Sequence, residues 1–177
     1  LKATYGFTDA QLRPYAYDPA PFIANARAVQ QGFLTSDPYT VEQAADFDPE
    51  VFLLADEGYP SYGAIVLAPN AFARDNAAAL RSFIAGSAEG WRDYIRGDAS
   101  AGDALIRRDN PDMSQDQLDQ ARERLRDKAV VDGGDAALYG LGALTAERWQ
   151  AFFEVTSKAG VYEPGLNWRD AFTDNYL

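Results

Sequence analysis

The sequence predicts an α/β fold with mostly parallel sheets flanked by helices. Three observations carry that expectation. Short apolar runs of strand length alternate with helical patterns up to Pro69. The run "EVFLLAD" (50–56) is apolar through its middle, the pattern of a strand buried on both faces. Hydrophobic residues make up 47% of the 177 residues, enough for a packed core.

Taken in order, "LRPYAYD" (12–18) interleaves aromatic and polar residues and predicts a short strand. "PAPFIANARA" follows as a helix with prolines near its start. "VQQGFL" is the next strand and "PYTVEQAADF" the next helix. "EVFLLAD" and "YGAIVLAP" (62–69) complete four strands. Strands alternating with helices point to βαβ units.

The character then changes. Between Asn70 and Gly97, Leu80, Phe83, Ile84, Ser87, Trp91 and Ile95 form the clearest amphipathic stripe in the chain. Ser87 on that stripe is expected to pack closely or to bond back to the helix backbone. "NPDMSQDQLDQARERLRD" opens a second helix, with Ser114 and Gln117 at capping-box spacing. "LTAERWQAFFEVTSKAG" predicts a third, capped by Thr145, with Trp149, Phe152 and Phe153 inward and Gly160 near its end. In the tail, Trp168 and Phe172 are expected to pack on the body.

Composition excludes several functions. The net charge is −11, from 27 acidic against 16 basic residues, without a Lys/Arg cluster. Nucleic acid and anionic membrane surfaces are therefore poor partners. There is no cysteine and no histidine. Disulfides, thiolate catalysis, Cys-based metal sites and most hydrolase triads are closed to the chain. No metal or cofactor is expected. The longest apolar stretch, Ala64 to Ala68, is far short of the roughly 20 residues that span a bilayer. The chain begins at Leu1 and reads as a mature or truncated piece without a visible signal peptide.

Two segments offer binding chemistry. In "AVQQGFLTSDPYTVEQA" (28–44), an apolar run breaks into Thr35, Ser36, Asp37 and Pro38. Pro38 suits a first helical turn and Asp37 or Ser36 its cap. A strand end feeding a helix start is also where α/β sheets hold ligands. The alternative is that Asp37 merely caps a helix. The second segment, "LADEGYPSYGA" (54–64), sets Tyr59, Ser61 and Tyr62 beside Asp56 and Glu57, with Gly58 and Pro60 shaping the turn. Rings beside carboxylates suit flat, amine-bearing ligands; a surface turn covering a core edge is the alternative. Asp56 and Glu57, adjacent on a strand, would point to opposite faces and make a poor catalytic pair. The glycines of "VDGGDAALYGLGALT" lack the Lys and Ser/Thr of a phosphate loop and read as turn residues.

In combination, "YDPAPFIANARAVQQGFLTSDPY", "FLLADEGYPSYGAIVLAPNAFARDNAAALRSFIAGSAEGWRDYI" and the later "NP…VVDGGDAALYGLGALTAERW" resemble the solute-binding proteins of ABC importers, in the nitrate/sulfonate/taurine and thiamine-pyrimidine-precursor group. The resemblance spans nearly the whole chain, which would match about the C-terminal half of that family's proteins. It implies a partial periplasmic-binding-protein type II clamshell. Residues 1–56 would be the trailing part of the second lobe, 57–62 the inter-lobe crossover, and 63–177 the C-terminal part of the first lobe with terminal helices. The first half of the first lobe and the start of the second would be missing.

The same resemblance implies a non-enzymatic receptor that clamps a small solute and delivers it to an inner-membrane ABC permease. Its place would be periplasmic or lipid-anchored outside the cytoplasm, without insertion of its own chain into the membrane. The solute-binding residues would be Gln30, Gln31, Thr35, Ser36, Asp37, Tyr59, Ser61 and Tyr62. None is cationic, so a pyrimidine-like or other amine-bearing heterocycle is favoured over sulfonate, taurine or nitrate. Two other readings attach to the same resemblance: the ligand-sensing domain of a transcriptional regulator, and a pyrimidine-precursor synthase. The synthase depends on His and Cys, which the chain lacks.

Overall fold

The structure, a computed structural model, describes residues 2–177. Leu1, where the expected lobe segment opens, lies outside the described residues. The chain divides into two compact units, one ending at Val51 and one running Phe52–Leu177.

In the first unit, short helices α1 (Lys2–Tyr5), α2 (Ala20–Ile23) and α3 (Asp37–Ala44) are joined by irregular chain. Pro38 and Val41 on α3 are buried, and the Phe22 and Phe47 rings meet at 6.2 Å. The Pro-led segment at 19–28 yields one helical turn and then bends at Asn25, whose side chain accepts from the Arg27 N–H at 3.0 Å.

The second unit carries α4 (Asn70–Asp75), α5 (Ala77–Arg96), α6 (Ser100–Asp109), α7 (Gln115–Asp127), α8 (Asp135–Tyr139) and α9 (Ala146–Lys158). A 3₁₀ turn, Trp168–Ala171, packs on α9. The 20-residue α5 is the spine, packed by α4 and α7. Its stripe is buried at Leu80 and Ile95 but open at Phe83 and Trp91. The Ser87 hydroxyl donates to the Phe83 carbonyl at 2.7 Å, satisfying itself inside the helix. Ser114 caps α7 by accepting from the Gln117 N–H at 3.1 Å, and Thr145 caps α9 by accepting from the Arg148 N–H at 3.3 Å. Gly160 ends α9 with φ +74°, a conformation that glycine adopts without a Cβ penalty. In the tail, Phe172 stacks on Trp149 with centroids 5.2 Å apart.

A buried polar knot ties α5, α6 and α7 together. Asp103 on α6 is 5% exposed. It accepts from the Tyr94 hydroxyl at 3.0 Å, from Gln115 Nε2 at 2.7 Å, and from Arg122 Nη1 at 2.9 and 2.8 Å. Arg122 also pairs with Asp119. A buried charge is tolerated when every lone pair finds a donor in this way.

The expected α/β architecture, a partial type II clamshell with mostly parallel sheets, is overturned. The described residues form helices, turns and irregular chain, with no strand. Segments 12–18, 29–34, 50–56 and 62–69, each expected as a strand, run without a ladder partner. Their side chains show why burial fails as a guide here: Val29 is 80% exposed, Phe52 71% and Leu67 90%. An apolar run of strand length reports extended chain, while a strand also requires a neighbour to receive its backbone hydrogen bonds.

Candidate functional site

The eight expected solute-binding residues fall in both units, five in the first and three in the second. In the first, Leu34, Thr35 and Ser36 form the turn that delivers Asp37 to the start of α3. The Asp37 carboxylate faces back along the chain. It accepts from the Phe33 N–H at 2.7 Å, the Tyr15 hydroxyl at 3.0 Å and the Ser36 hydroxyl at 3.2 Å. Asp37 therefore braces the turn ahead of the helix instead of capping the N–H groups inside it. Ser36 occupies the cap position without a side-chain capping bond. Gly32 makes the brace fit: a Cβ there would stand 2.8 Å from Asp37 Cβ. Thr35 and Gln30 are half-buried and Gln31 is exposed, with side-chain polar groups that make no protein hydrogen bond among the described residues.

In the second unit, a turn over 54–58 precedes the three remaining residues. Gly58 holds φ +80°, and the Tyr59 N–H donates to the Leu54 carbonyl at 2.9 Å. Asp56 and Glu57 stand in this turn, not on a strand as expected. The Tyr59 ring is 36% exposed and meets Phe152 edge-on at 5.4 Å. Tyr62, two residues after Pro60, is half-buried and held at its hydroxyl. It donates to Asp135 Oδ2 at 2.6 Å and accepts from the Thr145 N–H at 2.8 Å. The Thr145 hydroxyl donates to the same Asp135 oxygen at 3.1 Å. Burial, then the hydrogen bond to Asp135, raises the Tyr62 phenol above its ordinary value.

Arg148 completes the arrangement. Its guanidinium lies 4.2 Å from the Tyr62 ring centroid. Nε donates to the Pro60 carbonyl at 3.0 Å and Nη2 to the Ser61 carbonyl at 2.9 Å. Nη1 stands 3.8 Å from Asp135 Oδ2. The cation is thus balanced by a carboxylate, with its donors occupied by backbone oxygens. Beside it, the buried Trp149 indole N–H meets no acceptor among the described residues, and the Trp149 ring lies 6.2 Å from Tyr62.

The sequence singles out Tyr59, Ser61 and Tyr62, whereas Asp135 and Arg148, which hold this segment, carry no local signal, and Thr145 reads there only as a helix cap. The partners stand 73 to 88 positions from the residues they hold, so no local spacing joins them. Among the described residues, no group of acidic side chains could hold a metal ion, and no helix is long and apolar enough to cross a membrane. Compared with family models, with curated proteins and with solved structures, the chain matches none.

Proposed function

We propose that the chain is a solute-capturing component of an ABC-type importer, outside the cytoplasm, with the Tyr59–Tyr62 segment as part of its binding surface. The sequence resemblance supports the importer class, and one observation supports the site. Arg148 fixes the Pro60 and Ser61 carbonyls and the Tyr62 ring, leaving Tyr59 open on a braced backbone. A segment held in place before the ligand arrives loses less ordering entropy on binding.

The solute class is a neutral or amine-bearing heterocycle. Tyr59, 36% exposed, offers aromatic surface for stacking. The one cation at the segment, Arg148, already carries a carboxylate and two carbonyls, so it has little left for a nitrate or sulfonate oxygen. No catalytic step is assigned.

The test is thermal unfolding of the purified protein against cytosine, an aminopyrimidine, taurine and nitrate. A ligand at about 100 times its Kd stabilises by roughly 2.7 kcal/mol, an easily read shift. The heterocycles should raise the melting temperature in wild type and lose that effect in Tyr59→Ala. Stabilisation by taurine or nitrate alone would replace the solute class. No stabilisation by any of the four would remove support for capture at this segment.

A further inference from the structure

A second candidate site shares no lining residue with the Tyr59–Tyr62 segment. A cavity of about 210 Å³ opens between the last turns of α5 and the chain joining α7 to α8. Its apolar surface comes from Ile95, which is buried, together with Leu141 and Ala136. The Trp91 indole forms one side and is 47% exposed. Arg92 and Arg96, one helical turn apart on α5, line it as well.

The charges are unequal. Arg96 is already engaged: its Nε and Nη2 reach Asp132 Oδ2 at 2.9 and 2.7 Å. Arg92 has no carboxylate partner among the described residues. Two guanidinium groups and one carboxylate leave the cavity with one uncompensated positive charge, on a chain whose net charge is −11. Like charges at i, i+4 disfavour each other, and a bound monoanion relieves that repulsion.

Size and lining narrow the ligand. A dry cavity of about 150 Å³ takes up benzene, so this one accommodates a single ring with one small substituent. An aromatic wall favours a ring, an apolar floor favours an unsubstituted edge, and a free guanidinium fork favours a carboxylate over a neutral amide. We propose that this cavity binds a small aryl monocarboxylate, with its ring against Trp91 and its carboxylate on Arg92. The site is independent of the solute reading above.

Titration with benzoate, followed by NMR of the Trp91 indole N–H and the Arg92 side-chain Nε–H, tests it. Saturable shifts at roughly millimolar benzoate are expected, the range for a ligand held by one ion pair and one ring. Benzamide, which lacks the charge, and acetate, which lacks the ring, should each bind about tenfold more weakly or less well still. Arg92→Gln changes an exposed side chain and should weaken benzoate about tenfold with the fold intact by circular dichroism. Tyr59→Ala should leave benzoate binding unchanged. The proposal is overturned by absence of saturable shifts, by benzamide binding as well as benzoate, or by unchanged affinity in Arg92→Gln. It is overturned equally if benzoate binding is lost in Tyr59→Ala, which would place benzoate at the other segment.

Discussion

The guanidinium of Arg148 lies 4.2 Å from the ring centroid of Tyr62. Both residues are tied to Asp135: Tyr62 through its hydroxyl at 2.6 Å, Arg148 through a longer ionic contact at 3.8 Å. One carboxylate at the start of α8 therefore orients a phenol and a cation that arrive from distant parts of the chain. The backbone of 60–62 takes its shape from that arrangement, because the same guanidinium holds its carbonyls.

Replacing Arg148 should release the segment. Arg148→Ala removes a stacked cation and two charge-assisted hydrogen bonds from a partly exposed site, a loss of about 2 kcal/mol. Arg148→Lys keeps the charge but has no planar fork to serve two carbonyls and a ring together, so it should recover only part of that loss. Thermal unfolding reads the stability, and amide hydrogen exchange at Ser61 and Tyr62 reads the release. Unchanged exchange in Arg148→Ala would show that the segment is held by something else.

Tyr62 should also give the protein an alkaline weakness. Burial and then Asp135 raise its phenol above the ordinary value, so folding favours the neutral form. That stabilisation is complete below the unfolded value of about 10 and is lost as pH rises through the folded value. Tyr62→Phe should cost about 1 kcal/mol at neutral pH through the lost hydrogen bonds. Its melting temperature should then fall less steeply than wild type above pH ~10. Tyr94, raised by burial and by its bond to Asp103, keeps a residual slope in the variant. Parallel curves for the two proteins would mean that the Tyr62 phenol titrates alike folded and unfolded.

Asp103 works in the opposite direction. Burial pushes its carboxyl up, but Gln115, Arg122 and Tyr94 together outweigh burial and hold it below the ordinary range. A depressed value stabilises the fold above the unfolded pKa of about 3.9, and that contribution disappears as pH falls through the folded value. Asp103→Asn leaves Arg122 paired with Asp119 alone and should cost about 3 kcal/mol at neutral pH. Below pH ~4 the variant should lose less further stability than wild type. Circular dichroism melts from neutral to acid pH separate the two; equal acid slopes would remove Asp103 as a source of acid sensitivity.

The parts of the molecule that were legible in sequence are those fixed within one or two helical turns. Ser114 and Thr145 announce α7 and α9 because a hydroxyl at the cap reaches an N–H three residues on. The stripe through Leu80 and Ile95 announces α5 because helical spacing alone sets a face. The four expected strands fail for the complementary reason. Val29, Phe52 and Leu67 satisfy a strand pattern locally, but pairing is a property of two segments, and no second segment answers them among the described residues. The site divides along the same line. Tyr59 and Tyr62 stand out as rings in a turn, whereas Asp135 and Arg148 gain meaning only when the fold carries them 73 to 88 positions to their partners.

Gly32 offers the sharpest steric test in the first unit. A methyl group there would lie 2.8 Å from Asp37 Cβ and 2.9 Å from Asp37 Cγ, and the start of α3 cannot yield as a flexible side-chain tip would. Gly32→Ala should therefore push Asp37 off the Phe33 N–H and the Tyr15 hydroxyl, costing about 2 kcal/mol. Gly63→Ala is the control, since its Cβ meets nothing within 4 Å, and it should stay within about 0.5 kcal/mol of wild type. Asp37→Ala removes the brace and the Cγ and Oδ2 part of the obstacle while its Cβ stays, so the two changes overlap. In the Gly32→Ala background, Asp37→Ala should cost less than it does alone, a coupling of contacting residues that a double-mutant cycle measures directly. Amide exchange at Phe33 follows the brace itself. Additive costs, or a Gly32→Ala variant as stable as Gly63→Ala, would mean that the turn before α3 does not depend on Asp37 lying against Gly32.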